Sequence, residues 1–180
     1  MPGDGVRRMT ACDSCARVEA IYVDVGGNVL SFDRGRMHLV IDQRTEKTMS
    51  IAKDFVASGY TLLCISRFHP DILRSMWGEG DFHFIWLSER ETDHSISGCQ
   101  LDKIREEADS FLERNQKGIV VLEGIEYLSL FNDFSKLQIF VEQLNEMSME
   151  RRAVLLISVD PRLFDQRSLA RLRRFAEVVC

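Results

Sequence analysis

No apolar stretch in this chain approaches the ~20 residues that a membrane-crossing helix needs, and the N-terminus has no apolar core of the secretory kind. The expectation is a soluble, cytoplasmic protein without a membrane partner. Basic residues are outnumbered, 23 Lys and Arg against 28 Asp and Glu for a net charge of -5. The broad positive surface that neutralises phosphates is therefore missing, and nonspecific nucleic-acid binding is not expected. Proline is scarce, with 3 residues, and no Pro/Gly-rich linker follows residue 37 to divide the remainder into domains. Five cysteines are an odd number for a disulfide framework. Cys64 lies inside the apolar run Thr61–Ile65 and reads as a small buried hydrophobe. Cys12 and Cys15 have the spacing of half a zinc site, but no second Cys or His pair follows at the distance a tetrahedral site requires. His38, His69, His83 and His94 have no metal-ligand spacing either, and no G-x-S-x-G elbow supports a serine nucleophile. Neither a metal nor a cofactor is assigned.

What the chain does have is strand and helix patterns in alternation. Residues 1–17 are polar and of mixed charge and read as a flexible leader. Glu19–Val25 and Asn28–Phe32 are β-branched runs on either side of Gly26-Gly27, which predicts a β-hairpin over residues 18–36. From residue 37 to 180 short apolar runs at 38–41, 61–66, 83–87, 119–123 and 153–159 alternate with helical periodicity. The helices are expected at 46–57, near Pro70, and over 101–114, 134–147 and 168–178. Such alternation implies an α/β domain, a mostly parallel five-stranded sheet with helices on both faces. Trp86 in the third of these strands is expected in the core.

The run Gly118–Leu128 is the most informative. An uninterrupted apolar segment ending on Glu123 and Gly124 describes a buried strand that delivers a carboxylate to the sheet edge, where α/β proteins place their chemistry. Together with Gly59–Pro70, Trp86-Leu87-Ser88, Asn132-Asp133-Phe134 and Val159-Asp160-Pro161, it resembles the archaeal family known as domain of unknown function 835, over about residues 38–176. That resemblance implies an archaeal protein and a domain often joined to sensory or signalling modules, with no established activity. Glu123 departs from the family pattern, which more often has aspartate there. The layout is also similar to RecA-like and KaiC-like ATPases, which implies a three-layer RecA-like sandwich. In those proteins the first strand runs into a glycine-rich phosphate loop ending in Lys and Ser or Thr.

The corresponding segment here is Ile41–Thr48. Lys47 and Thr48 stand where such a loop has its lysine and hydroxyl, but both glycines are absent and Asp42 and Glu46 carry the sign of charge that repels phosphate. Without glycine the positive φ angles of a phosphate cradle are not expected, and Thr45 is expected to cap the helix that follows. Arg67, Glu123, Glu126, Asn132 and Asp160 all fall near predicted strand ends. An ion pair between Arg67 and Glu123 and a cap or turn role for Asn132 are the expected arrangements. The arginines Arg167, Arg171, Arg173 and Arg174 make the terminal helix the basic exception in an acidic chain. The functional expectation is a noncatalytic signalling or protein-interaction module with a degenerate phosphate loop, acting on a protein partner or on copies of itself. The alternatives are a divergent nucleotide-binding enzyme using Lys47, Thr48 and Glu123, and a nucleic-acid-binding regulator using the terminal arginines.

Overall fold

The computed structural model describes residues 19–179. The expected leader, with Cys12 and Cys15, lies outside the described residues, as does Cys180. The chain opens with an antiparallel hairpin of β1 (Ala20–Val25) and β2 (Asn28–Asp33). Its turn is made by Gly26 and Gly27, both at positive φ, and Asp24 Oδ1 accepts from the Gly27 N–H at 2.8 Å. This is the left-handed turn that Gly-Gly adopts at no steric cost.

The remaining strands are β3 (Arg36–Ile41), β4 (Leu62–Ser66), β5 (Phe82–Leu87), β6 (Ser95–Ile96), β7 (Ile119–Leu122), β8 (Val154–Val159) and β9 (Glu177–Val179). They form one seven-stranded parallel sheet in the order β6-β5-β4-β7-β8-β3-β9. Two strands beyond the expected five lie at its margins. β6 has two residues, too few to show an alternation. β9 overlaps the end of the segment expected to be helical, 168–178, where Val178 and Val179 favour a strand over another helical turn.

The helices are α1 (Glu46–Ala57), α2 (Pro70–Trp77), α3 (Leu101–Arg114), the single turn α4 (Ile125–Leu128), α5 (Phe134–Arg151) and α6 (Gln166–Arg173). Connections running toward β6 use α1 and α2, which cover one face together with Ile21, Val23 and Phe32 of the hairpin. Those running back use α3 to α6 and cover the other face. Crossovers of one hand produce this division. The hairpin is thus part of the core: Phe32 packs against Phe55 of α1, the rings tilted by 57° with centroids 5.1 Å apart. β4, β7 and β8 are buried along their whole length, as strands covered on both faces must be. Trp86 is only half-buried, because β5 has just the two-residue β6 outside it.

Candidate functional site

β4 and β7 are neighbours whose connections leave in opposite directions, β4 toward β5 and β7 toward β8. A crevice opens outside their C-terminal ends, at the position where open α/β sheets take ligands. It is lined by Arg67, Glu123, Gly124, Glu126, Tyr127 and Leu163, among others, with a volume of about 400 Å³.

The floor of the crevice is Glu123, which is only 7% exposed. Its Oε2 accepts from Ser66 Oγ at 2.7 Å and from the Arg67 backbone N–H at 3.0 Å. Ser66 Oγ in turn accepts from the Phe68 N–H at 2.9 Å. The carboxylate thus stitches the end of β7 to the turn after β4. Gly124 follows at φ 105°, and a Cβ there would stand 3.1 Å from Arg67 Cγ. Glycine is needed both for the left-handed backbone and for the close approach.

The expected Arg67–Glu123 ion pair does not form. Arg67 gives the carboxylate its backbone N–H, while its guanidinium turns outward and lies over the Tyr127 ring, 3.9 Å from the centroid. Tyr127 Oη donates to Glu89 Oε1 at 2.7 Å, and Glu89 also accepts from the Gly98 N–H and Ser97 Oγ. The Gly98 N–H, then these two hydroxyls, hold the Glu89 carboxyl below its ordinary range. Burial and the bond to Glu89 push the Tyr127 phenol up to about 12. The side chain therefore stays a hydrogen-bond donor at any physiological pH.

Asn132 does not cap α5. That place belongs to Asp133, whose side chain accepts from the Lys136 N–H. Asn132 Nδ2 instead donates to the carbonyls of Gly98 and Leu128, at 2.8 and 2.9 Å, pinning the loop after α4 to the loop before α3. Glu126, in α4, accepts the Asp160 N–H at 2.7 Å through Oε1. Burial raises its pKa, and the nearby Glu123 and Asp160 carboxylates add to the effect. Asp160 is held in its charged form by Arg162, whose guanidinium Nε and NH2 donate to it at distances down to 2.6 Å. The same guanidinium reaches the Gln43 carbonyl at 3.2 Å, joining the loops after β8 and β3. Glu123, Glu126 and Asp160 therefore share one sheet edge as expected. Among the described residues no group of three or more His, Cys, Asp or Glu side chains is placed to hold a metal ion.

Lys47 and Thr48 lie at the start of α1, beyond the end of β3 and apart from the crevice. Thr48 is fully buried. Its N–H and Oγ1 both donate to Asp42 Oδ2, at 2.9 and 3.4 Å, and the Arg44 N–H donates to Oδ1 at 3.2 Å. Asp42 thus supplies an internal carboxylate at the helix start. Thr45 occupies the N-cap position but makes no side-chain cap bond, and it adopts φ 60°. The expectation that this glycine-free turn avoids positive φ is therefore corrected. Thr45 accepts that conformation while its carbonyl receives the Met49 N–H at 2.9 Å.

The family model described as Protein of unknown function (DUF835) matches residues 41–175. The chain belongs to that family. A search of the curated proteins finds no match. The DUF835 match begins at the last residue of β3, so the hairpin and most of β3 precede it. It contains the crevice and the loop from Asp42 to Thr48 in full. Among the described residues no helix is long and apolar enough to cross a membrane.

Three site residues were not visible as such in the sequence. Tyr127 and Glu89 meet across 38 residues, and Arg162, besides its neighbour Asp160, reaches the Gln43 carbonyl 119 residues away. No local spacing signals the two long-range bonds.

Proposed function

We propose that this DUF835 chain is a noncatalytic signalling or protein-interaction module, on a layout similar to RecA-like and KaiC-like ATPases, whose anion-binding helix start is filled from within. The observation that carries this reading is the Asp42 carboxylate on the Thr48 N–H and hydroxyl. Those are the kind of donors that a phosphate would need. A phosphate brought within about 4 Å of that carboxylate meets ~4 kcal/mol of repulsion per charge at an effective dielectric near 20. The interaction half of the proposal draws on the rim of the crevice. Leu130 and Leu163 are 75% and 64% exposed beside it, an apolar border around a polar floor. Its walls are tied together by the Arg67–Tyr127–Glu89 and Asn132 contacts, so a partner meets a surface already formed.

The test is a calorimetric titration with Mg-ATP and Mg-ADP, with light scattering to follow self-association. Binding no tighter than about millimolar and no turnover are expected. Micromolar binding that disappears on Lys47→Ala would establish the rival reading, a divergent nucleotide-binding enzyme. That rival is favoured by one observation, the left-handed Thr45 in the turn. The exposed arginines of α6 keep the nucleic-acid reading distinct: it requires binding that weakens steeply with salt and is lost in Arg167→Glu/Arg171→Glu.

A further inference from the structure

A second cleft, of about 350 Å³, lies on the α1/α2 face, between the start of α1 and the end of α2. It is separate from the crevice at β4 and β7 but borders the start of α1, and its use rests on the same reading of that helix start, in which Asp42 occupies the Thr48 N–H. Met49, Phe68, Met76 and Trp77 supply apolar lining. Met76 is 46% exposed, and two methionines make a wall that adapts to the shape of its occupant. Trp77 is buried against Phe82 and Phe84 and lends an aromatic surface to the cleft wall.

The charged lining has a definite sign. Arg44 and Lys53 are both exposed at the cleft, whose lining includes one carboxylate, Glu46. Since the Thr48 N–H is already taken by Asp42, an incoming anion would be recognised by these side-chain cations. A volume of this size, mostly apolar with a few polar groups, fits a small molecule.

We propose that this cleft binds a small amphiphilic carboxylate. An apolar or aromatic body packs on the methionines and Phe68, and the acid group is recognised by Arg44 and Lys53. The class is distinct from nucleotides, because a single carboxylate needs one or two cations and no phosphate cradle.

The experiment titrates the full chain with phenylacetate and octanoate, and with the matched neutral amides, by calorimetry. Both acids should bind saturably and about threefold to fivefold tighter than their amides, the factor expected of an exposed charge contact. The double variant R44E/K53E should erase that preference while leaving the urea midpoint unchanged, since both residues are exposed. Trp77→Phe, which keeps an aromatic ring for Phe82 and Phe84 but offers the cleft wall a smaller surface, should weaken both acids. Equal affinity for acid and amide overturns the proposal. So does a preference that survives R44E/K53E, an acid affinity indifferent to Trp77→Phe, or the absence of saturable binding up to about 10 mM.

Discussion

Replacing Glu123 with alanine removes a side chain that joins the ends of β4 and β7. In the folded chain this carboxylate accepts two hydrogen bonds, from Ser66 Oγ and from the Arg67 N–H. Each bond to a charged group contributes about 1.5–3 kcal/mol, and part of that sum is returned because a buried charge no longer has to be desolvated. The net loss expected is ~3 kcal/mol, and for a chain of this length it lowers Tm by ~6–12 °C. Glu123→Gln keeps an acceptor in place and should cost about 1 kcal/mol. Arg67→Ala is the informative comparison, because the bond to Glu123 comes from the backbone and survives the substitution. Only the contact of an exposed guanidinium with Tyr127 is lost, ~0.5–1 kcal/mol. Urea denaturation with the slope held constant separates these values. If Arg67→Ala costs as much as Glu123→Ala, the carboxylate is being held by the cation, and the account given of this edge is wrong.

Gly124→Ala should destabilise by about 1–3 kcal/mol, because φ 105° is strained for any side chain and the new Cβ meets Arg67 and Leu87; an unchanged thermal melt would refute this. His38 gives the chain an acid-sensitive term. Burial lowers its pKa from 6.5, against the opposing pull of Glu177 and Asp33, and its Nε2 accepts from the Asp33 N–H at 3.2 Å. As pH falls through about 6.5 the unfolded chain takes up the proton and the folded chain does not, so stability is full above that value and declines below it. Urea midpoints across this range should fall toward acid in the parent and flatten in His38→Gln; parallel pH profiles would refute the assignment.

Apolar runs were enough to place β4, β7 and β8, because strands covered on both faces are written as nearly continuous Val, Ile and Leu; β3 and β5 were legible from shorter runs that include His38 and His83. The end of α6 was not legible. Arg171, Leu172 and Phe175 continue a helical spacing, and what ends it is the open edge of β3, which takes Val178 opposite Leu39. Periodicity carries no information about a vacant edge elsewhere in the sheet. At the crevice, the acids were legible because each ends or follows an apolar strand. Their partners were not. The choice between the Arg67 side chain and its backbone N–H is made by Tyr127, which offers the guanidinium a face to lie on. From the sequence alone Asp42 reads only as a repulsive charge. Its spacing of six residues from Thr48 brings it back onto the helix start once the turn is closed by a left-handed Thr45, a conformation that propensity assigns to glycine.

The place of β3 in the sheet sets an order of events during synthesis. Its two neighbours are β8 and β9, with Arg36 opposite Val154 and His38 opposite Glu177. When β3 leaves the ribosome it has no strand to pair with until residue 154 and beyond have been made, whereas β4, β5, β6 and β7 can already pair with one another. Met37, Leu39 and Val40, all buried in the finished sheet, must wait through that interval with their backbone groups unpaired. The hairpin and α1 emerge on either side of β3 and are the first partners available to it. They can shelter one of its faces long before its edges close, which reduces the exposure that makes an unpaired strand prone to association.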